Sequence, residues 1–283
     1  MSELLITELI TALSLPPGEK VRALVRRIFG KGTRRYAELA QALDQEVARN
    51  GVAAGARWLL PNFAVGYEAR GQELIPAEGP LVIAANHPAA FDSVAISAFV
   101  NRPDYKVIIG EIPFFRNLPH IHQSAIFAPA LKDAFGRMQT VRDILHHLKE
   151  GGAVLIFPRG EIEPDPAFMK QPDVEFQHWS RSLSIFLQRV PQTQVLVTMI
   201  SGVIAKAAMR HPLTWLRRER VDKQRLAFIY QFLRQVLTRR ETFGLCPRIT
   251  FGEILAGVDP QDVLGEVERA AERTLARHLE WIR

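Results

Sequence analysis

One cysteine, Cys246, is all the thiol chemistry this 283-residue chain possesses. A lone cysteine closes no disulfide within the chain, which excludes a disulfide-stapled scaffold and fits a reducing compartment. Long hydrophobic runs are missing too: no apolar stretch reaches the roughly 18–20 residues that a helix needs to cross a bilayer. The first residues do not form a secretion signal, because Glu3 and Glu8 interrupt the apolar pattern there. Residence in the cytoplasm is the expectation. No internal repeat and no low-complexity tract occurs, so a repeat array is excluded.

Acidic residues are outnumbered, 30 against 36 basic ones, for a net charge of +6 and a sequence pI near 9.7. That balance suits an anionic partner: a nucleic acid, a phospholipid surface or a phosphorylated substrate. Basic stretches interleaved with aromatics in a recognised nucleic-acid motif are absent, so no nucleic-acid partner is expected.

What is present is 47% hydrophobic residues and enough length for one large domain or two modest ones. Residues 1–60 read as a helical segment. In "EKVRALVRRIFG", Val21, Leu24, Val25, Ile28 and Phe29 recur at helical spacing, opposite Lys20, Arg22, Arg26 and Arg27. Such a basic amphipathic helix either lies in a lipid interface or packs its stripe on the neighbouring domain. "SLPPG" separates it from the helix before it, and a further helix is expected from about Thr33 to Arg49, ending near Asn50-Gly51.

From residue 61 to 283 strands and helices alternate. Apolar runs at Leu81–Ala85, Lys106–Ile109, Ala125–Phe127, Ala153–Phe157, Val195–Ile200 and Arg248–Phe251 predict strands. Ser93–Val100 and Phe135–Glu150 predict helices, the second closed by Gly151-Gly152, and a last helix should begin at Asp259-Pro260. The expected fold is α/β: a mixed, largely parallel central sheet flanked by helices, preceded by the N-terminal helical segment.

The chemistry concentrates in "LVIAANHPAAFDSVAISAF", residues 81–99. In open α/β sheets ligands bind beyond the carboxyl ends of the strands. His87 stands where the strand Leu81–Ala85 exits, and Asp92 follows five positions on, at the start of the next helix. A short loop folding back can set the carboxylate against one imidazole nitrogen, which fixes the tautomer and leaves the other nitrogen free to take a proton. The alternative is that Asp92 merely caps its helix.

Other segments agree with the first. "YEARGQELIPAEGPLVIAANHPAAFD", residues 67–92, resembles the opening motif of the glycerolipid acyltransferase superfamily, with its Asn-His-x4-Asp. "ILHHLKEGGAVLIFPRGEIEP" is similar to that superfamily's helix, double glycine, strand and Phe-Pro-x-Gly turn. "LVTMISG" and "PRITFGEIL" stand in the places of its later strands, so the resemblance spans roughly residues 64–280. It implies transfer of an acyl group from a thioester, acyl-CoA or acyl-carrier protein as co-substrate, to an acceptor hydroxyl, with no cofactor and no metal. His87 would be the general base and Asp92 its orienting partner. Asn86, Glu111, Phe157, Pro158, Arg159, Gly160, Glu161 and Lys132 would bind substrate. Backbone amides near His87 or in the Gly160 turn would be the candidate donors to the oxyanion.

Two departures concern the acceptor. Arg159 stands where the resembled turn carries glutamate, and its planar fork suits a phosphate. "AIFAPA" lacks the arginine expected after the middle strand, with Lys132 a few residues on as a substitute. The expected acceptor is lysophosphatidic acid or glycerol 3-phosphate. The alternatives are a non-phosphorylated lipid alcohol or amine, or a noncatalytic lipid-binding relative.

"PHIHQ" sets His120 and His122 two apart, a spacing suited to a metal on a strand but without a third ligand. "HPLTWLRRERVDKQR" mixes Trp215 with clustered arginine, which suits an anionic membrane surface. With the basic N-terminal helix, it leads to the expectation of a cytoplasmic protein peripheral on the inner face of the membrane.

Overall fold

Leu81 to Ala85 is apolar at every position because the strand it forms is covered on both faces. The computed structural model describes residues 2–12, 15–129, 133–179, 182–256 and 262–283. Within it, helices α1 (Ser2–Ala12) and α2 (Glu19–Leu59) precede β1 (Glu68–Arg70), β2 (Leu81–Ala85), α3 (Asp92–Ser97) and β3 (Tyr105–Gly110). Next come α4 (Pro119–Gln123), β4 (Ala125–Ala128), α5 (Ala134–Lys149), β5 (Ala153–Ile156), α6 (Ser182–Arg189) and β6 (Gln194–Ser201). The chain ends through α7 (Lys206–Met209), α8 (Arg220–Thr238), β7 (Arg248–Leu255) and α9 (Val263–Ile282).

The seven strands form one sheet in the order β1-β7-β6-β2-β5-β3-β4. β6, β2, β5, β3 and β4 are parallel, with Leu81 opposite Ala153 on one side and Gln194 on the other. β7 runs antiparallel to β6, and β1 pairs with β7 in parallel. The mixed, largely parallel sheet expected from the apolar runs is the one observed.

Alternation along β2 divides the core. Leu81, Ile83 and Ala85 pack with Ala56 and Leu59 of α2, Ala95 and Ile96 of α3, and Ala227 and Val236 of α8. Val82 and Ala84 face the opposite layer, with Ile144 and Leu148 of α5, Phe186 of α6, and Val267 and Leu275 of α9. Both faces being covered is why the strand shows no polar alternation. His278 of α9, fully buried, ties its helix to the sheet. Its Nδ1 lies 2.8 Å from Thr250 Oγ1 and its Nε2 2.8 Å from Ser201 Oγ.

The N-terminal helices differ from expectation in one respect. The basic amphipathic stretch and the stretch from Thr33 run as a single helix, and the break falls at Gly51, with φ +82°. Gly51 accommodates that left-handed φ without a Cβ penalty. Only part of the stripe is used internally: Val25 packs on Ile6 and Ile10 of α1, while Leu24 and Ile28 stay exposed. The expected start of the last helix, Asp259-Pro260, lies outside the described residues.

Candidate active site

β2 delivers His87 to the carboxyl edge of the sheet, and the Pro88–Phe91 loop folds back so that α3 presents Asp92 to it. His87 Nδ1 and Asp92 Oδ2 are 2.8 Å apart. Asp92 does not cap its helix; it is fully buried, and both its oxygens accept from the Ala89 N–H, at 3.0 and 3.1 Å. With the carboxylate ionised, Nδ1 must carry a proton, which leaves Nε2 as the free acceptor. The imidazole stacks on Phe157, centroids 4.3 Å apart at 22°.

Burial disfavours a charged imidazole here. The Asp92 charge and hydrogen bond, with Glu163 further off, outweigh it and raise the His87 pKa above the ordinary value. Burial likewise raises the Asp92 carboxyl, against the pull of His87 and of the Ala89 amide.

The ring lines a cavity of about 740 Å³ at the ends of β2, β3, β4 and β5. Ile108, Val141, Ile144 and Phe186 give it an apolar wall; Glu111, Arg137, Arg159 and His178 are its charged or titratable members. Phe157, Pro158 and Gly160 complete the wall below His87. Gly160 has φ +70°, and its N–H returns to the Phe157 carbonyl at 3.0 Å. A turn with proline second and glycine fourth suits this sequence.

The other residues singled out from sequence divide into two groups. Phe157, Pro158, Arg159, Gly160 and Glu111 line the cavity with His87. Asn86 and Glu161 do not join them. Asn86 is buried and clips the ends of two strands, its Nδ2 donating to the Ile200 carbonyl at 3.0 Å and its Oδ1 accepting from the Ile200 N–H at 2.8 Å. Glu161 pairs with Arg159 at 3.1 Å, and Lys132 lies outside the described residues. Glu111 faces the cavity but is ion-paired with Arg116.

Arg159 is not a free phosphate fork. Its Nε donates to Glu175 Oε2 at 2.8 Å, and Glu175 Oε1 accepts from Arg220 of α8 at 2.7 Å. Glu175 therefore sits between two guanidiniums, and despite its partial burial they hold its pKa below the usual carboxylate value. The backbone amides expected near the oxyanion are also engaged: His87 N–H binds Glu163, Ala89 N–H binds Asp92, and Gly160 N–H binds Phe157. His120 and His122 lie on the helix α4 rather than on a strand, and His120 is held by Asp44 at 3.0 Å.

Two buried carboxylates near the site escaped the sequence reading. Glu163 accepts from His87 N–H at 2.7 Å and from the Trp179 indole at 2.9 Å. Burial pushes its pKa up to about 7. Asp165 gathers the Gly202, Val203 and Ala167 amides at 2.9–3.1 Å, and burial pushes it to about 6. The available signal was "EIEPDP", where prolines fix a turn carrying three acids; neither inward-facing carboxylate was separated from Glu161 by pattern alone.

A family model described as acyltransferase matches residues 66–247, the stretch that holds His87, Asp92 and the Phe157–Gly160 turn. The chain belongs to the acyltransferase family. Among solved structures it is similar to the 1-acyl-sn-glycerophosphate (LPA) acyltransferase PlsC from Thermotoga maritima, with 16% identity and a TM-score of 0.47. That similarity covers 95% of this chain and 86% of the other. No curated protein matches the sequence.

Proposed function

We propose that this acyltransferase moves a fatty acyl group from a thioester, acyl-CoA or acyl-carrier protein, to a hydroxyl of a glycerolipid precursor such as lysophosphatidic acid or glycerol 3-phosphate. The observation that carries the reading is the His87–Asp92 contact of 2.8 Å on the wall of the cavity. His87 Nε2 takes the hydroxyl proton as the oxygen attacks the thioester carbon. The tetrahedral intermediate collapses, the carbon–sulfur bond breaks, and the departing thiolate takes the proton from the imidazolium. No acyl-enzyme forms. The apolar wall along Ile108, Val141, Ile144 and Phe186 suits the acyl chain.

Arg137 supports a phosphorylated acceptor: it lines the cavity and has no ion-pair partner among the described residues. A second reading, acylation of a non-phosphorylated lipid alcohol or amine, is favoured by the capture of Arg159 between Glu161 and Glu175.

A long-chain acceptor resides in a bilayer, and no helix among the described residues is long and apolar enough to cross one. Peripheral docking is supported by Trp215 and Leu216, 75% and 72% exposed on the 3-10 turn Pro212–Leu216, beside Arg217 and Arg218.

Transfer assays with lysophosphatidic acid and glycerol 3-phosphate against a panel of non-phosphorylated acceptors test these readings. Turnover confined to phosphorylated acceptors removes the second reading; turnover confined to the others removes the first acceptor class. Thioester consumption unchanged in His87→Ala removes both and favours a noncatalytic lipid-binding relative.

A further inference from the structure

Glu163 is fully buried and bonds the base segment from below. Its Oε2 accepts from the His87 N–H at 2.7 Å, and its own N–H donates to the His87 carbonyl at 2.8 Å. These two bonds join the exit of β2 to the turn after β5 across 76 residues of sequence. Its Oε1 accepts from the Trp179 indole N–H at 2.9 Å. Gln224 of α8 pins the same two segments a second time without charge, its Nε2 donating to the Pro88 carbonyl at 2.7 Å and the Glu163 carbonyl at 2.8 Å.

A buried carboxylate is costly, and here neutral N–H groups are its direct partners. Holding a loop does not require that charge, since Gln224 does the same with an amide. Each Glu163 oxygen already accepts from one N–H, so a proton would have to sit on the second lone pair of an oxygen that is already a hydrogen-bond acceptor. The charged groups around it are His87 and Asp92 on the β2 side, Arg159 and Glu175 beside the turn, and Arg220, which binds the Ile162 carbonyl at 3.1 Å from α8. Arg159 and Arg220 spend their charge on Glu175. His87 is the group on the reaction path whose charge changes, and its imidazolium is what Glu163 would stabilise.

We propose that Glu163 is a second carboxylate of the base: a positioning residue that holds His87 through its backbone and, as an anion, favours the imidazolium formed when the acceptor proton is taken. The proposal rests on the reading of His87 as the general base. The coupling is reciprocal: a proton on His87 favours ionised Glu163, as ionised Glu163 favours the proton on His87. The elevation of the Glu163 pKa to about 7 by burial makes that exchange occur near neutral pH.

The test follows the His87 ring by 15N NMR across pH in the full chain, its signal assigned by its loss in His87→Ala. In Glu163→Gln the proton affinity of the ring falls about threefold or more, and the acid limb of kcat/KM moves to lower pH with it. In Gln224→Leu, which loosens the same segments without removing charge, kcat falls while the ring midpoint stays. An unchanged midpoint in Glu163→Gln overturns the proposal and leaves Glu163 a structural clamp. Should Glu163→Gln fail to fold, the wild-type ring decides: a second inflection from the Glu163 carboxyl supports the proposal, and a single inflection overturns it. Full activity in His87→Ala would sink the base reading and with it the catalytic part of the proposal, while the NMR midpoint still reports separately whether Glu163 and His87 are coupled.

Discussion

Asn86 and Ile200 exchange two hydrogen bonds, the asparagine side chain occupying the place a neighbouring strand residue would take at the ends of β2 and β6. The residue immediately before His87 is thus locked by its side chain. In Asn86→Ala the buried N–H and carbonyl of Ile200 lose these partners, and a buried group left unsatisfied costs about 1–3 kcal/mol. Urea unfolding should register that loss, together with lower kcat as His87 loses its anchor. Stability equal to wild type would show that the clip is replaced by other partners.

The pH dependence of catalysis should carry the signature of Asp92. A general base works unprotonated, so kcat/KM should rise with pH through a midpoint above 6.5, the ordinary histidine value. Asp92→Asn removes the charge that raises the His87 pKa and leaves the burial that lowers it. The midpoint should then fall and kcat with it. Initial rates across pH for both proteins check this; a limb that rises or stays put would contradict the ion-pair account.

Acid stability should depend on His278. Burial first, then Arg248, pushes its pKa down to about 4 from 6.5. The unfolded chain therefore takes up this proton first, and folding loses stability as pH falls from 6.5 towards about 4. Below that the contribution is constant. The shift corresponds to about 3 kcal/mol. His278→Gln should be less stable at neutral pH but lose less on acidification, as measured by urea unfolding at several pH values. Equal acid sensitivity in both proteins would assign the effect elsewhere.

Membrane docking should depend on the Pro212–Leu216 turn. Thr214 is buried and bonds the Met209 and His211 carbonyls at 3.0 and 2.8 Å, which fixes the turn while its neighbours face outward. Trp215→Ser with Leu216→Ser should reduce co-sedimentation with vesicles of phosphatidylcholine and phosphatidylglycerol by about tenfold or more. Added salt should weaken the wild type further through its arginines. Binding unaffected by the double substitution would move the docking surface elsewhere.

The parallel strands were legible because each is a short apolar run closed by turn residues, and His87 with Asp92 because both flank one such run. β1 was not: it has three residues, mostly exposed, and only its pairing with β7 makes it a strand. α8 is absent from the sequence expectations for a different reason, only its first residues, Arg220–Arg225, falling in the basic stretch. Its buried positions include Gln224, Gln231 and Gln235, whose amides bind backbone of the loops around the site and near Phe63. Hydrophobic periodicity does not register an inward face made of glutamine. Arg159 illustrates the limit at residue level: its position in the turn was evident, as was Glu161 two residues on, but its other carboxylate partner, Glu175, comes from chain packing.

His87 and its neighbours hang from contacts that span the chain: Glu163 is 76 positions from His87, Ile200 is 114 from Asn86, and Gln224 reaches Pro88 over 136. Closing such long loops is the slow part of building a fold. During refolding, helix content should therefore recover before turnover does, and a half-assembled chain would display His87 without the partners that hold it. The enzyme thereby stays silent until its whole architecture is in place.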